Sequence, residues 1–133
     1  MKGCRISEGT FIKVSKNAEL SLCNTFLGRN CLISSGKSIV INSGCLIAEL
    51  VVIRDHNHQY NLNDDKIISL GINAGCITIE KNVWIGAKVT ILKGVTIGEN
   101  AVIGAHSLVN KNINKNSLAL GTPARIIKQN DTI

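Results

Sequence analysis

The 133-residue chain has very few aromatic residues, and this scarcity limits the kind of core that it can build. Phe, Trp and Tyr together make up 3% of the sequence, whereas hydrophobic residues as a whole make up 44%. The core must therefore be assembled from Ile, Val, Leu and Ala. This composition favours a thin, evenly layered interior, and the length predicts one domain over residues 1–133.

Runs of like charge are also missing, although the formal net charge is +6. Lys and Arg occur singly along the chain, and aromatic residues do not alternate with them. The sequence therefore gives little support to a nucleic-acid partner. The basic balance is compatible with an anionic small molecule as a ligand.

Paired cysteine motifs and long apolar runs are absent as well. The five cysteines contain no CxxC pair and are odd in number, which indicates reduced thiols in a reducing compartment. The longest apolar run, near residues 45–53, is interrupted by Glu49 and is too short to cross a bilayer. No signal peptide heads the sequence. We therefore expect a cytoplasmic protein without membrane insertion.

The sequence does contain an aliphatic residue at every sixth position of its C-terminal half. The inward positions of this period are Ile79, Ile85, Ile91, Ile97, Ile103 and Val109, each preceded two residues earlier by Ile77, Val83, Val89, Val95, Ala101 and Ser107. A six-residue period predicts a parallel β-helix, because each side of each coil turns its apolar residue inward. The third residue after the inward aliphatic is a turn position. It is occupied by Asn82, Lys88, Gly94, Asn100 and His106, so we assign His106 a structural role.

The N-terminal half keeps this period less strictly. Ile33 and Ile41 lie eight residues apart, which predicts a two-residue insertion near residues 37–39. The inward residues predicted for this half are Ile12, Val14, Leu20, Leu27, Ile33, Ile41, Ile47 and Ile53, with Asn30, Gly36 and Gly44 at turn positions.

Between Ile53 and Ile77 the period stops. Residues 54–76 are polar, contain two of the three histidines and are predicted to form a long loop inserted between coils. A long loop that leaves a regular solenoid is usually functional or disordered, so we look for chemistry here.

The segments "NVWIGAKVTILKGVTIGENAVIGAHSLVNKNI" and "ALGTPARIIK" resemble the hexapeptide-repeat acetyltransferases. They are most similar to the maltose, galactoside and xenobiotic acetyltransferases and to the O-acetyltransferases of capsular and surface polysaccharides. The resemblance covers roughly residues 27–128. It implies an all-β, left-handed parallel β-helix with one extruded loop and a short C-terminal tail. It also implies a homotrimer with active sites at subunit interfaces and acetyl-CoA as co-substrate, with no metal expected.

The resemblance implies a histidine base on a loop upstream of the tryptophan of the VWIG motif, which is Trp84 here. His56 lies 28 residues before Trp84 and His58 lies 26 before it, so either histidine fits the position. We favour His56, because Asp55 and His56 form the Asp-His pair that looks more like the family pattern. A neutral imidazole suits the removal of an alcohol proton near neutral pH.

The remaining site residues follow from the same resemblance. Alternation points Trp84 outward, and the resemblance places it at the acceptor or pantetheine site. Tyr60, Asn61, Asp64 and Asp65 are candidates for shaping the acceptor pocket or orienting the histidine. The positions matched to coenzyme A contacts are Trp84, Ala87, Gly104, Ala105, Lys111, Arg125 and Lys128.

With a histidine base and both substrates bound together, we expect direct transfer of the acetyl group to a hydroxyl. The resemblance implies acetyl-CoA as the donor and a saccharide as the acceptor, with bacterial surface polysaccharides or their precursors favoured. Three alternatives remain open. N-acetylation of an amino sugar would use the same base and cofactor. A γ-class carbonic anhydrase shares the fold and binds zinc through three histidines, and this chain has three. A non-catalytic β-solenoid would leave the polar loop unexplained.

Overall fold

A computed structural model describes residues 2–63 and 66–130 of the chain. The described residues fold into strands joined by tight corners, without a helix long and apolar enough to span a membrane. The strands are β1 (Arg5–Ile6), β2 (Phe11–Val14), β3 (Glu19–Leu22), β4 (Phe26–Leu27), β5 (Leu32–Ser35), β6 (Ser38–Ile41), β7 (Leu46–Ile47), β8 (Val52–Arg54), β9 (His56–Asn63), β10 (Lys66–Ala74), β11 (Ile77–Ile79), β12 (Trp84–Ile85), β13 (Thr90–Ile91), β14 (Thr96–Ile97), β15 (Val102–Ile103), β16 (Leu108–Val109), β17 (Ser117–Gly121) and β18 (Ala124–Gln129).

Three sheets form the sides of a prism, and the chain visits them in turn. Sheet 1 has the order β1-β4-β7-β12-β15-β17-β18, sheet 2 has the order β2-β5-β8-β13-β16, and sheet 3 has the order β3-β6-β11-β14. Neighbouring strands within each sheet pair in parallel, except that β18 folds back antiparallel to β17. This architecture is the predicted left-handed parallel β-helix.

The interior consists of the aliphatic residues that the six-residue period selects. Every residue of both C-terminal stripes is buried, and the equivalent N-terminal positions from Leu27 to Ile53 are buried too. Register explains the columns, because Ile47, Ile85 and Ile103 pair on consecutive strands of sheet 1. One predicted inward residue is wrong: Val14 is 46% exposed, since β2 is the edge strand of sheet 2 and no further coil covers it.

The corners use the left-handed backbone region at the predicted turn positions. The φ angles of Asn82, Lys88, Asn100 and His106 lie between 58° and 63°, and Gly94 has a φ of 79°. His106 therefore occupies a turn, as predicted. Gly36 is an exception, because it is absent from the residues with positive φ in the described part of the chain.

The segment predicted as a loop between coils is instead a β-hairpin. Strands β9 and β10 pair antiparallel, with His58 opposite Ile72 and Tyr60 opposite Ser69. Pairing within the hairpin satisfies backbone groups that the parallel sheets do not reach. The hairpin leaves the prism at Asp55, between β8 of sheet 2 and β11 of sheet 3.

Candidate active site

The carboxylate of Asp55 is completely buried at the corner between sheets 2 and 3. One oxygen accepts hydrogen bonds from the backbone N–H groups of Lys37 and Ser38, at 2.9 and 2.7 Å. The other accepts from the Gly36 N–H at 2.7 Å, and the Ser35 hydroxyl donates to the carboxylate at 3.2 Å. Because several donors converge on it, this buried group is held as an anion.

The pKa of Asp55 reflects a competition between burial and hydrogen bonding. Burial raises it, but the Gly36 N–H, the His56 ring and the N–H groups of Lys37 and Ser38 all lower it. The hydrogen bonds prevail, so the pKa of Asp55 lies below its ordinary value.

The ring of His56 is oriented by this carboxylate. Its Nδ1 lies 2.9 Å from Oδ1 of Asp55. Because an ionised carboxylate can only accept, Nδ1 must carry the proton, and Nε2 of the neutral ring then holds the lone pair. The side chain is 16% exposed, so it reaches the surface while Asp55 does not. This arrangement suits a general base.

Gly36 is required at the site by space and not by its φ angle, which corrects its predicted role as a turn glycine. A Cβ at this position would lie 2.9 Å from Nδ1 and 3.0 Å from Cγ of His56. A side chain here would therefore push the imidazole away from Asp55.

Both candidate histidines line one cleft of about 400 Å³ on the outer side of sheet 2. His58 lies two residues after His56 on β9, and its partner on β10, Ile72, lines the cleft as well. The contact with Asp55 is made by His56. The geometry therefore distinguishes two histidines that spacing alone left equivalent.

The other predicted residues of the hairpin lie further from this cleft. Tyr60 is 62% exposed and Asn61 is exposed, and neither lines the cleft that contains His56. Strand alternation puts Tyr60 on the same face of β9 as His56, and Asn61 on the opposite face. Asp64 and Asp65 lie outside the described residues.

Trp84 projects from the outer side of sheet 1, as predicted, and is 56% exposed. It lies between two clefts. One, of about 500 Å³, is also lined by Lys128. The other, of about 270 Å³, is lined by Phe26 and Leu46. Trp84 and His56 therefore lie on different faces of the same prism.

The structure brings together some of the residues predicted to bind coenzyme A. Ala87, Gly104 and Ala105 follow β12 and β15 at the corner between sheets 1 and 2, and Arg125 lies opposite Leu120 in the terminal hairpin. Gly104 has a packing reason of its own, because a Cβ there would lie 2.8 Å from Cβ of Leu120. Lys111 follows β16, at the opposite edge of sheet 2.

The three histidines do not converge. His106 occupies the corner between sheets 1 and 2, whereas His56 and His58 belong to the hairpin beyond sheet 2. Within residues 2–63 and 66–130, no group of three or more His, Cys, Asp or Glu side chains is placed to hold a metal ion.

The sequence did not predict that the corner between β5 and β6 holds the Asp55 carboxylate in place. The eight-residue spacing from Ile33 to Ile41 did indicate an insertion near residues 37–39, and the structure has the corner between Ser35 of β5 and Ser38 of β6 beside that position. Its role depends on contacts across 17 to 20 residues of sequence, which no local pattern reports. All cleft residues other than the two histidines were missed as well, among them Lys13, Ser34 and Arg54.

Comparison with known proteins places this fold in a family. A family model described as bacterial transferase hexapeptide (six repeats) matches residues 76–111. The crystal structure of a maltose O-acetyltransferase from Clostridium difficile 630 is 31% identical, covers 98% of this chain and 71% of that chain, and has a TM-score of 0.63. The chain belongs to the hexapeptide-repeat acetyltransferase family.

Two further members of this family are informative. A protein of Escherichia coli (strain K12), provisionally named as a lipopolysaccharide biosynthesis O-acetyl transferase, is 38% identical over 104 residues, covering 73% of this chain and 53% of that protein. The structure of a galactoside acetyltransferase in complex with coenzyme A is 34% identical, with a TM-score of 0.66, and covers 93% of this chain and 66% of that chain. The chain spans a third to a half of the length of the first curated relatives that it matches.

Proposed function

We propose that this chain is an acetyl-CoA-dependent O-acetyltransferase that acts on a sugar hydroxyl. The observation that carries the proposal is the Asp55–His56 pair at the edge of a cleft. The pair supplies an imidazole of fixed tautomer beside open space, which is what proton removal from an alcohol requires. Membership of a family of acetyltransferases supplies the reaction class.

The reaction is written as direct transfer between two bound substrates. Nε2 of His56 removes the proton of the acceptor hydroxyl as its oxygen attacks the thioester carbonyl of acetyl-CoA. The C–S bond then breaks, the acetyl group stays on the acceptor oxygen, and the thiolate of coenzyme A takes the proton from the imidazolium. Asp55 stabilises the imidazolium that forms between these steps.

In this proposal acetyl-CoA lies along the corner between sheets 1 and 2. Ala105 is exposed and Ala87 is half-buried there, so the corner offers backbone groups and space to the pantetheine. Arg125 and Lys128 are exposed and supply positive charge for the phosphates. The similar galactoside acetyltransferase forms a complex with coenzyme A, which supports coenzyme A as the ligand.

We further propose that the active enzyme is a homotrimer. The outer side of sheet 1 carries an apolar column of Phe26, Leu46, Trp84, Val102 and Leu118, aligned by register. The outer side of sheet 2 carries a column aligned in the same way and apolar except for Thr90, namely Phe11, Leu32, Val52, Thr90 and Leu108. Two different apolar faces on one prism suit a head-to-tail contact that closes into a ring.

A trimer also completes the site. His56 and Trp84 face different sides of one chain, and packing sheet 1 of one subunit against sheet 2 of the next brings them to one groove. The same contact sets Lys111 of one subunit near the cofactor of its neighbour.

A saccharide is the proposed acceptor class, and a bacterial surface polysaccharide or its precursor is the proposed substrate. The lipopolysaccharide-related name of the Escherichia coli relative supports this. Cytoplasmic location is proposed on the five cysteines, which are all free thiols.

Calorimetric titration with coenzyme A and acetyl-CoA tests the proposal without knowledge of the acceptor. We expect saturable binding near one molecule per chain. An acceptor screen then compares the parent with His56→Ala, for which turnover should fall by roughly 10²–10⁴-fold because the base is lost.

His106→Asn is the matched control, since asparagine suits the left-handed turn that His106 occupies, and turnover should be retained. Absence of coenzyme A binding by a folded protein would overturn the proposed function. Unchanged turnover in His56→Ala, with loss in His58→Ala, would move the base to His58.

A further inference from the structure

The cleft that contains His56 carries two cationic side chains that the reaction does not use. Lys13 on β2 and Arg54 on β8 both line it and both are exposed. Among the described residues, neither is paired with a carboxylate, and the lining includes no Asp or Glu. Asp55 lies below the cleft, completely buried and engaged by its own donors.

Strand register places these cations in one column. Lys13 pairs with Ser34, and Ser34 pairs with Arg54, on the consecutive strands β2, β5 and β8. Adjacent strands lie about 4.8 Å apart, so Lys13, Ser34 and Arg54 are evenly spaced along the column, and Arg54 lies two residues before His56 in the chain. Both cations therefore project on the same side of sheet 2 as the cleft.

Ser34 adds a neutral donor between the two cations. It is 6% exposed, and within the described residues its hydroxyl makes no hydrogen bond. The neighbouring Ser35 hydroxyl, in contrast, is engaged by two acceptors, the backbone carbonyl of Glu19 at 2.6 Å and the Asp55 carboxylate at 3.2 Å, which share its one proton. The Ser34 hydroxyl is therefore available to a molecule in the cleft, as is that of Ser15, which also lines it.

A second column beside the first is apolar. Phe11 and Leu32 line the cleft two residues before Lys13 and Ser34, and Phe11 is 59% exposed. Both residues also belong to the sheet 2 column of the proposed trimer contact, so in that proposal the cleft lies at the margin of the contact between subunits. The cleft is thus lined by apolar side chains on one side and by positively charged side chains on the other.

We infer that the acceptor of this enzyme is an anionic sugar, whose carboxylate or phosphate group is bound by Lys13, Ser34 and Arg54. This inference rests on the proposed function, because it assigns the acceptor class of the same cleft. Lys13 and Arg54 lie on strands about 10 Å apart, so an anion between them is attracted by both. Arg and Lys are also the side chains that form the strongest charge-assisted hydrogen bonds with such groups.

Equilibrium binding of three probes, measured by calorimetry with coenzyme A present, tests the inference. The probes are methyl glucuronide, which carries a carboxylate, glucose 6-phosphate, which carries a phosphate, and methyl glucoside, which is neutral. We expect at least one anionic probe to bind about tenfold tighter than the glucoside, with a preference that weakens as salt is added. The tighter of the two anionic probes identifies the group recognised.

Arg54→Gln and Lys13→Gln should each remove most of that preference. Lys81→Gln is the matched control, because Lys81 has the same charge and lies exposed at the corner between sheets 3 and 1, away from the cleft. It should leave the preference intact. A preference that survives in the Lys13→Gln/Arg54→Gln double variant overturns the inference.

The inference and the proposed function fail in different ways. A parent that binds coenzyme A but binds the glucoside as tightly as both anionic probes overturns the anionic acceptor alone. The same holds if neither anionic probe binds. A parent that selects anionic probes, yet neither binds coenzyme A nor transfers acetyl groups, overturns the acetyltransferase and retains the charge selection.

Discussion

The buried carboxylate of Asp55 accepts hydrogen bonds from five groups, and one of them is the ring of His56. The other four come from residues 35–38 and hold the carboxylate in place whether or not the histidine is present. The orientation of His56 is therefore imposed on it by a rigid corner of the β-helix. Gly36 contributes by leaving room for the imidazole.

Replacing Asp55 with Asn should disable the base and weaken the fold. The amide NH₂ group would face backbone N–H donors, which weakens the fold. If it instead donated to Nδ1 of His56, the ring proton would lie on Nε2 and no lone pair would face the acceptor, so turnover should fall by roughly 10²–10⁴-fold. Turnover and chemical denaturation of the same samples check both effects.

The folded-state pKa of Asp55 is lowered, so its stabilisation of the fold is present above the ordinary aspartate pKa and is lost as the pH falls through the folded value.

The Asn variant lacks this titration, and its stability should therefore depend less on pH in the acid range than that of the parent. Equal acid sensitivity of parent and variant would contradict the assigned role of the carboxylate. The sequence indicated Asp55 and His56 because the pair resembles the family pattern. It did not indicate their partners at residues 35–38, because those contacts join neighbouring coils.

The regular coils are the elements in which sequence and structure agree best. The aliphatic period located every buried column of the C-terminal half, because a regular coil repeats one environment six residues apart.

The corners between strands agree with the sequence at most positions. Leu50 is a corner residue that departs from the Asn and Gly preference, with a φ of 60° and 43% exposure. A leucine in the left-handed region carries a backbone cost of about 1–2 kcal/mol.

Leu50→Asn should therefore stabilise the protein, by roughly 0.5–1 kcal/mol, since Asn tolerates this conformation. The free energy of unfolding in urea measures the effect. Leu92→Asn is the control, because Leu92 is 37% exposed and is not among the residues with positive φ. A gain of the same size in both variants would show that it comes from replacing an exposed leucine by a polar residue, and not from the backbone conformation of the corner.

The hairpin of β9 and β10 was the element that the sequence concealed. Its strands pair with each other and β9 is exposed from Asn57 to Asn61, so no buried face imposes an apolar alternation on that strand. The polar composition that suggested a loop is explained by β9, a strand whose two faces are both exposed to solvent. The histidines were found in spite of this, because their identity and spacing did not depend on the local structure.

At the scale of the whole molecule, sheets 1 and 2 each carry an outward column that is mainly apolar, and sheet 3 carries one that is mainly polar. Sheet 3 turns Ser21, Val40, Thr78 and Thr96 outward, in contrast to the apolar columns of sheets 1 and 2. The six-residue period cannot reveal this difference, because it reports inward positions alone. The outward residues decide how subunits meet, and hence where a site between subunits would form.

Leu46→Glu should convert the proposed trimer into folded monomers that no longer bind coenzyme A tightly. Leu46 is 55% exposed at the centre of the sheet 1 column, beside Trp84, so a carboxylate there would be buried without a partner on assembly. Sedimentation velocity gives the assembly state, and circular dichroism verifies the fold. Thr96→Glu, on the outer side of sheet 3, introduces the same charge and should remain trimeric. A trimeric Leu46→Glu variant would place the interface elsewhere, and a monomeric parent that still binds coenzyme A would show that one prism suffices for the cofactor.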